Sequence, residues 1–154
     1  MFTRINSSGI QGIGAYPVSV EADVANGLPG FSISGQLSTE VREAQERVRT
    51  ALKNSGFQLP AKKITVNLSP AGVKKGGTVL GGFGVLDTGG LGECLVIGEL
   101  GLDGSVKPVP GVLVHTEAAR AGGLRQCILP GGNEREGRLI KGIQIIGIRS
   151  LKEL

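Results

Sequence analysis

The chain has 154 residues, 40% apolar and 19% charged, with a formal net charge of +4. That balance excludes a disordered chain, and the length suits one domain over 1–154 with a core of its own rather than two. The 27 glycines follow no three-residue period, which excludes collagen, and no run approaches the roughly 18 apolar residues of a membrane span, so no membrane partner is expected.

Other composition signals narrow the class further. The aromatics are Phe2, Phe31, Phe57, Phe83 and Tyr16, few platforms for stacking nucleobases. Basic and acidic residues are interspersed, a pattern that serves solubility before nucleic-acid affinity. Cys94 and Cys127 sit far apart in apolar runs, and His115 is the single histidine. Reduced, buried thiols and no metal or other cofactor are expected. The opening MFTRINSSGIQGIGAY lacks an apolar stretch of leader length, which suggests a cytoplasmic protein.

In chain order, residues 15–24 alternate, with Val18, Val20, Ala22 and Val24 on one face and Ser19, Glu21 and Asp23 on the other. This predicts a half-buried strand, with a partner strand over 2–6. The turn-rich NGLPG at 26–30 followed by FSISG at 31–35 reads as a hairpin between the 15–24 strand and a short second one. Ser38 or Thr39 can cap a helix whose apolar face is Val41, Ala44, Val48, Ala51 and Leu52, and Gly56 ends it by a left-handed cap.

KKITVNL at 62–68 is a β-branched strand between prolines, and 95–100 with 105–109 flank a Leu-Asp-Gly turn as a hairpin. Residues 112–121 predict a helix carrying Val112, Leu113, His115 or Thr116, and Ala119, closed by Gly122 and Gly123. Compact strands are expected at 126–129 and 143–148, with one or two helical turns between them. The order β-β-β-α-β, β-β-α-β-α-β predicts an α/β sandwich of mixed sheet and helices. Residues 73–93, VKKGGTVLGGFGVLDTGGLGE, are too rich in glycine for a helix, since each interior glycine costs about 1 kcal/mol relative to alanine, and a loop is expected.

The chemistry-bearing candidates are weak by spacing. GVKKGGT at 72–78 has lysines beside glycines, but a phosphate loop needs its lysine after the second glycine and a helix to follow. A nucleophile needs a base and an orienting third group; Thr78 pairs with His115 only if the fold brings them together. Glu99 and Asp103 flank a turn and form a candidate carboxylate pair whose default state is solvated. Arg42, Arg47, Arg49, Lys62, Lys63, Lys74 and Lys75 are the candidate contacts to DNA phosphates.

Three segments carry a family resemblance: GLPGF at 27–31, ERVRTALKNSGF at 46–57 and KKITVNLSPA at 62–71. The likeness resumes over 96–130 and fades through 142–154. Together they resemble the amino-terminal domain of the ComM (YifB) family of magnesium-chelatase-like AAA+ proteins. The resemblance implies a ribosomal protein S5 domain 2-like fold, shared with the proteolytic domain of Lon, and a link to hexameric motors of DNA branch migration in natural transformation. The chain carries none of the AAA+ module's nucleotide-binding loop, so it reads as a truncated, non-catalytic accessory domain. Its implied partners are a separate AAA+ motor subunit or further copies of itself, with weak DNA contact.

Lon-type sites pair a serine in a glycine-containing loop with a lysine on the following helix. Laying this chain over that pattern puts His115 at the lysine and Thr78 near the serine, so the alternative is a Lon-like hydrolase with an altered Thr/His dyad. The family is also implied to open a core helix after the KKG segment, where this sequence has a shorter glycine-rich stretch. Loss of that helix would expose apolar sheet surface unless something covers it.

Overall fold

The computed structural model describes residues 1–34, 39–69 and 91–154, and side-chain surroundings for these except 39–42. Among these residues nine strands and three α-helices form a mixed α/β sandwich. The strands are β1 (Phe2–Gln11), β2 (Gly14–Ala25), β3 (Gly30–Ser34), β4 (Lys63–Ser69), β5 (Cys94–Val96), β6 (Glu99–Leu100), β7 (Val106–Lys107), β8 (Gln126–Pro130) and β9 (Gln144–Ile148). The helices are α1 (Thr39–Asn54), α2 (Val112–Ala121) and α3 (Glu134–Gly137). Seven strands form one sheet in the order β3-β4-β2-β1-β5-β8-β9, and β6 and β7 form a separate ribbon.

The alternation in β2 sets the layers. Val18, Val20 and Ala22 are buried and join Phe31, Ile64, Val66 and Leu68 beneath Val48, Ala51 and Leu52 of α1. Register fixes the rest, because paired residues share a face. Ile5 lies opposite Val20, while Asn6 lies opposite both Ser19 and Leu95. Leu95 and its partner Cys127 therefore occupy the face opposite α1, where they pack with Leu129 against Val112 and Ala119 of α2. Cys94, Val96, Ile128 and Ile148 bury on the α1 side with Ile5. The two thiols are buried and face opposite sides of the sheet, and no disulfide joins them.

Both helix ends follow from local chemistry. At the end of α1, Phe57 N–H donates to Leu52 O and Gly56 N–H to Lys53 O, with Gly56 at φ 86°. At the end of α2, Leu124 N–H donates to Ala119 O and Gly123 N–H to Arg120 O, with Gly123 at φ 82°. Each is a 6→1 and 5→2 pair around a left-handed glycine, and each brings an apolar residue (Phe57, Leu124) back onto its helix's core.

Two pairings differ from expectation. β3 does not form a hairpin with β2: β4 lies between them, antiparallel to β2 and parallel to β3. The reason is burial and backbone pairing. The ITVNL run buries Ile64, Val66 and Leu68 and pairs on both edges, whereas the shorter β3 takes the sheet edge, with α1 between it and β4 in the chain. The hairpin around Leu102-Asp103-Gly104 exists, but its strands are only Glu99–Leu100 and Val106–Lys107. Leu95 and Val96 belong instead to the main sheet, parallel to β8. Of the glycine-rich stretch, Leu91–Glu93 forms a 3-10 turn; 73–90 lie outside the described residues.

Leu129 is fully buried in the α2-side core, whereas Leu139 is 67% exposed. Leu129→Ala is expected to lower the unfolding free energy by about 2–5 kcal/mol, and Leu139→Ala by less than about 0.5 kcal/mol, both read from urea denaturation midpoints.

Candidate functional site

β1 stops alternating at Ser7, Ser8 and Gly9, which are all buried. Ser7 Oγ donates to Val96 O at 2.9 Å, across to β5. At Gly9 the ring of Tyr16, its cross-strand partner, lies 2.3 Å from where a Cβ would stand, so a side chain there would push the ring aside. Ser8 points to the other face, where α2 crosses.

The start of α2 is fixed by Asn133. Its amide accepts from Val109 N–H at 2.9 Å and donates to Val109 O at 3.0 Å, imitating a strand pairing, and Gly111 at φ 75° then turns the chain into the helix. Val112, His115, Thr116 and Ala119 consequently face the sheet. His115 is fully buried, with Nδ1 2.6 Å from Ser8 Oγ. Its Nε2 has no hydrogen-bond partner among the described residues. Burial pushes the imidazole pKa below its ordinary value, so the ring is neutral at physiological pH. Thr116 Oγ1 lies 3.9 Å from Cys127 Sγ, and burial pushes that thiol up to about 11. Such a thiol is inert as a nucleophile.

A cavity of about 500 Å3 lies beside this pair, between the second half of α2 and strands β1 and β2. Asn6, Ser8 and Ser19 supply its polar floor; Pro17, Leu95 and Leu124 supply apolar wall. Ser8 and His115 thus place a hydroxyl against a neutral imidazole, the first two members of a nucleophile, base and acid series. The third is missing among the described residues, since Nε2 meets no carboxylate to orient it or stabilise its charged form. Among the described residues no group of three or more His, Cys, Asp or Glu is placed to hold a metal ion, and no helix is long and apolar enough to cross a membrane.

Thr78, Lys74 and Lys75 lie outside the described residues, as does the side chain of Arg42. Arg47 is half-buried on α1; Arg49, Lys62 and Lys63 are exposed. Packing puts Arg47 and Arg49 on α1, across the sheet from His115, while Lys62 and Lys63 stand at the β3–β4 edge, Lys63 on the same face as Thr65 and Asn67. Arg49 and Lys62 line a common cleft of about 260 Å3. Glu99 and Asp103 are both exposed; Asp103 accepts from Ser105 Oγ and N–H, and these bonds hold its carboxyl below the ordinary range. They shape a turn. Sequence reading missed Ser8, whose partner is 107 residues away, and its one visible signal was the small Ser-Ser-Gly run.

The geometry defines a mixed α/β domain whose polar centre is a closed Ser–His pair at a sheet–helix seam. Residues 20–133 match the family described as subunit ChlI of Mg-chelatase. The chain is 40% identical over 141 residues to the uncharacterized protein YifB of Escherichia coli (strain K12), covering 85% of this chain and 28% of YifB. It is 37% identical over 145 residues to the competence protein ComM of Haemophilus influenzae, covering 88% of this chain and 28% of ComM. A more distant likeness, 28% over 138 residues, is to Lon protease of Mycolicibacterium smegmatis, covering 81% of this chain and 18% of Lon. The chain belongs to the Mg-chelatase ChlI-like family that includes YifB and ComM, and it spans under a third of the length of these relatives.

His115 gives a pH signature. The unfolded imidazole titrates near pH 6.5, and the folded one below it. The stabilising difference is therefore complete above about pH 6.5 and is lost as pH falls toward the folded value, because the unfolded state then binds the extra proton. Unfolding free energy is expected to fall as pH drops below about 6.5, by at most ~1.4 kcal/mol per pH unit. In His115→Gln that slope flattens. Urea titrations at several pH values read the slope itself, which a general loss of stability in the variant does not imitate.

Proposed function

We propose that this chain acts as a non-catalytic unit of ComM-like machinery. In this role it contributes shape and surface to an assembly promoting DNA branch migration, while ATP hydrolysis is done by an AAA+ motor. The observation that carries the reading is the span of the family match: residues 20–133 run from β2 through both cores, the Ser8–His115 seam's helix and the Asn133 bridge. The 37% identity to a competence protein supports the assignment to DNA uptake and recombination. The state of His115 supports the non-catalytic part, because a buried imidazole whose basicity is lowered by desolvation, with no acid behind it among the described residues, is a poor general base.

The competing reading is a Lon-like hydrolase. It draws on the Ser8 Oγ–His115 Nδ1 distance of 2.6 Å and on the cavity beside Ser8, with Thr78 as the other candidate hydroxyl. Incubation of the pure chain with ATP or with unfolded casein is expected to give no turnover above buffer. Turnover abolished by Ser8→Ala or Thr78→Ala would replace the first reading with the second.

A graft tests the positive role. Substituting this chain for the matching segment of Haemophilus influenzae ComM is expected to keep transformation frequency within about tenfold of the native gene. A soluble, full-length chimera that behaves as a deletion would contradict the proposal.

A further inference from the structure

We propose that the trough between the outer face of α1 and the loop leading into β4 binds the sugar–phosphate backbone of single-stranded DNA, with a base lying against Phe57. The inference rests on the function proposed above for the identity of the polymer; the chemistry of the trough stands on its own residues.

Glu46, Arg49 and Lys53 fall at three- and four-residue spacing on one face of α1. The cap at Gly56 returns the chain along that face, bringing Phe57 and Leu59 beside the helix. The result is two adjoining clefts of about 580 and 260 Å3, both lined by Arg49 and Leu59. Lys53 lines the larger cleft and Lys62 the smaller, so three cations are distributed along one depression whose only lining carboxylate among the described residues is Glu46.

These cations are weakly held. Arg49 approaches Glu46 only to 3.7 Å, with both side chains more than half exposed. Arg4, Arg120 and Arg138, by contrast, are clamped to carboxylates at 2.8, 2.6 and 2.5 Å. A pair as loose and solvated as Arg49–Glu46 contributes little to stability and leaves the guanidinium able to bind phosphate. Several cations in sequence suit a repeating anion better than one small ion, since each phosphate contact releases counterions and the effects accumulate. Phe57 is half-buried, anchored on the core through its backbone bond to Leu52 and presenting its remaining surface to the larger cleft. A fixed aromatic flanked by cations is the arrangement that holds single strands without sequence preference. A purely acidic peptide would satisfy the cations and leave the ring unused.

The test is fluorescence anisotropy of a labelled oligothymidine with the whole chain, from 25 to 200 mM KCl. The variant Arg49→Gln/Lys53→Gln/Lys62→Gln is expected to bind at least tenfold more weakly at low salt. Its log–log salt slope should be shallower by about 2, since each single-strand phosphate contact contributes about 0.7. Phe57→Leu should weaken binding about fivefold or more at an unchanged slope. Lys141→Gln, at the opposite sheet edge, should bind within twofold of the native chain. Thermal melting checks that each variant is folded, and a Phe57→Leu that melts early is replaced by Phe57→Tyr, which should retain binding. Absence of binding at 25 mM KCl overturns the inference, as does a native slope in the triple variant or displacement by polyglutamate as effective as by unlabelled oligonucleotide. Binding as expected with a failed ComM graft would remove only the proposed function; a working graft without binding would remove only this surface.

Discussion

β1 is hydrogen-bonded antiparallel to β2 along its whole length and parallel to β5 at Asn6 and Leu95. That single register decides which side chains face α1 and which face α2, since a slip of one residue would exchange the two sets. With Ile5 opposite Val20, the α1-side core closes from β3 to β9; with Asn6 opposite Leu95, the α2-side core closes over β5 and β8. The same register leaves polar residues on the α2-side face of β1 to β4. There Arg4, Glu21, Asn67 and Ser34 form a chain of hydrogen bonds across four strands, and the bonds from Asn67 and Arg4 hold the Glu21 carboxyl below its ordinary range.

The seam between these regions explains the chemistry of His115. A strand shared by two cores has buried positions that cannot all be large, so β1 carries Ser7, Ser8 and Gly9 where Val96, α2 and Tyr16 come close. A buried hydroxyl needs a partner, and Ser8 finds one in His115; the imidazole remains uncharged because burial disfavours its cation, with no anion among the described residues facing it. The pair is thus what packing of a polar seam produces. It has the distance of a catalytic dyad without an orienting acid among the described residues, which is why the proposed role is placed in the surface of the domain and not in this pair.

Much of the secondary structure was legible in the sequence. The two glycine-closed helices and the alternation of β2 are local patterns, and they occur where the residues indicated. The place of β3 was not legible, because a turn-rich NGLPG between two strands looks the same whether the strands pair or leave room for a third. Likewise, Leu95 and Val96 look continuous with Glu99 and Leu100, and only their parallel pairing with β8 separates them. Site residues followed the same division. His115 was identifiable as a helix residue facing the core, whereas Ser8 required a contact across 107 positions. Arg49 and Lys62 were visible as charges. Lys53 and Phe57 carry no functional signal in the sequence, and only the fold lays them along one trough.

The central proposal is that the Ser8–His115 pair is not a reactive centre and that the domain contributes its surface. The most direct measurement is intact-mass analysis after prolonged exposure of the folded chain to a fluorophosphonate probe near neutral pH. The account predicts an unmodified mass, because the Ser8 hydroxyl is buried against an imidazole that lacks an orienting acid. A stoichiometric adduct that maps to Ser8 and vanishes in His115→Gln would contradict it.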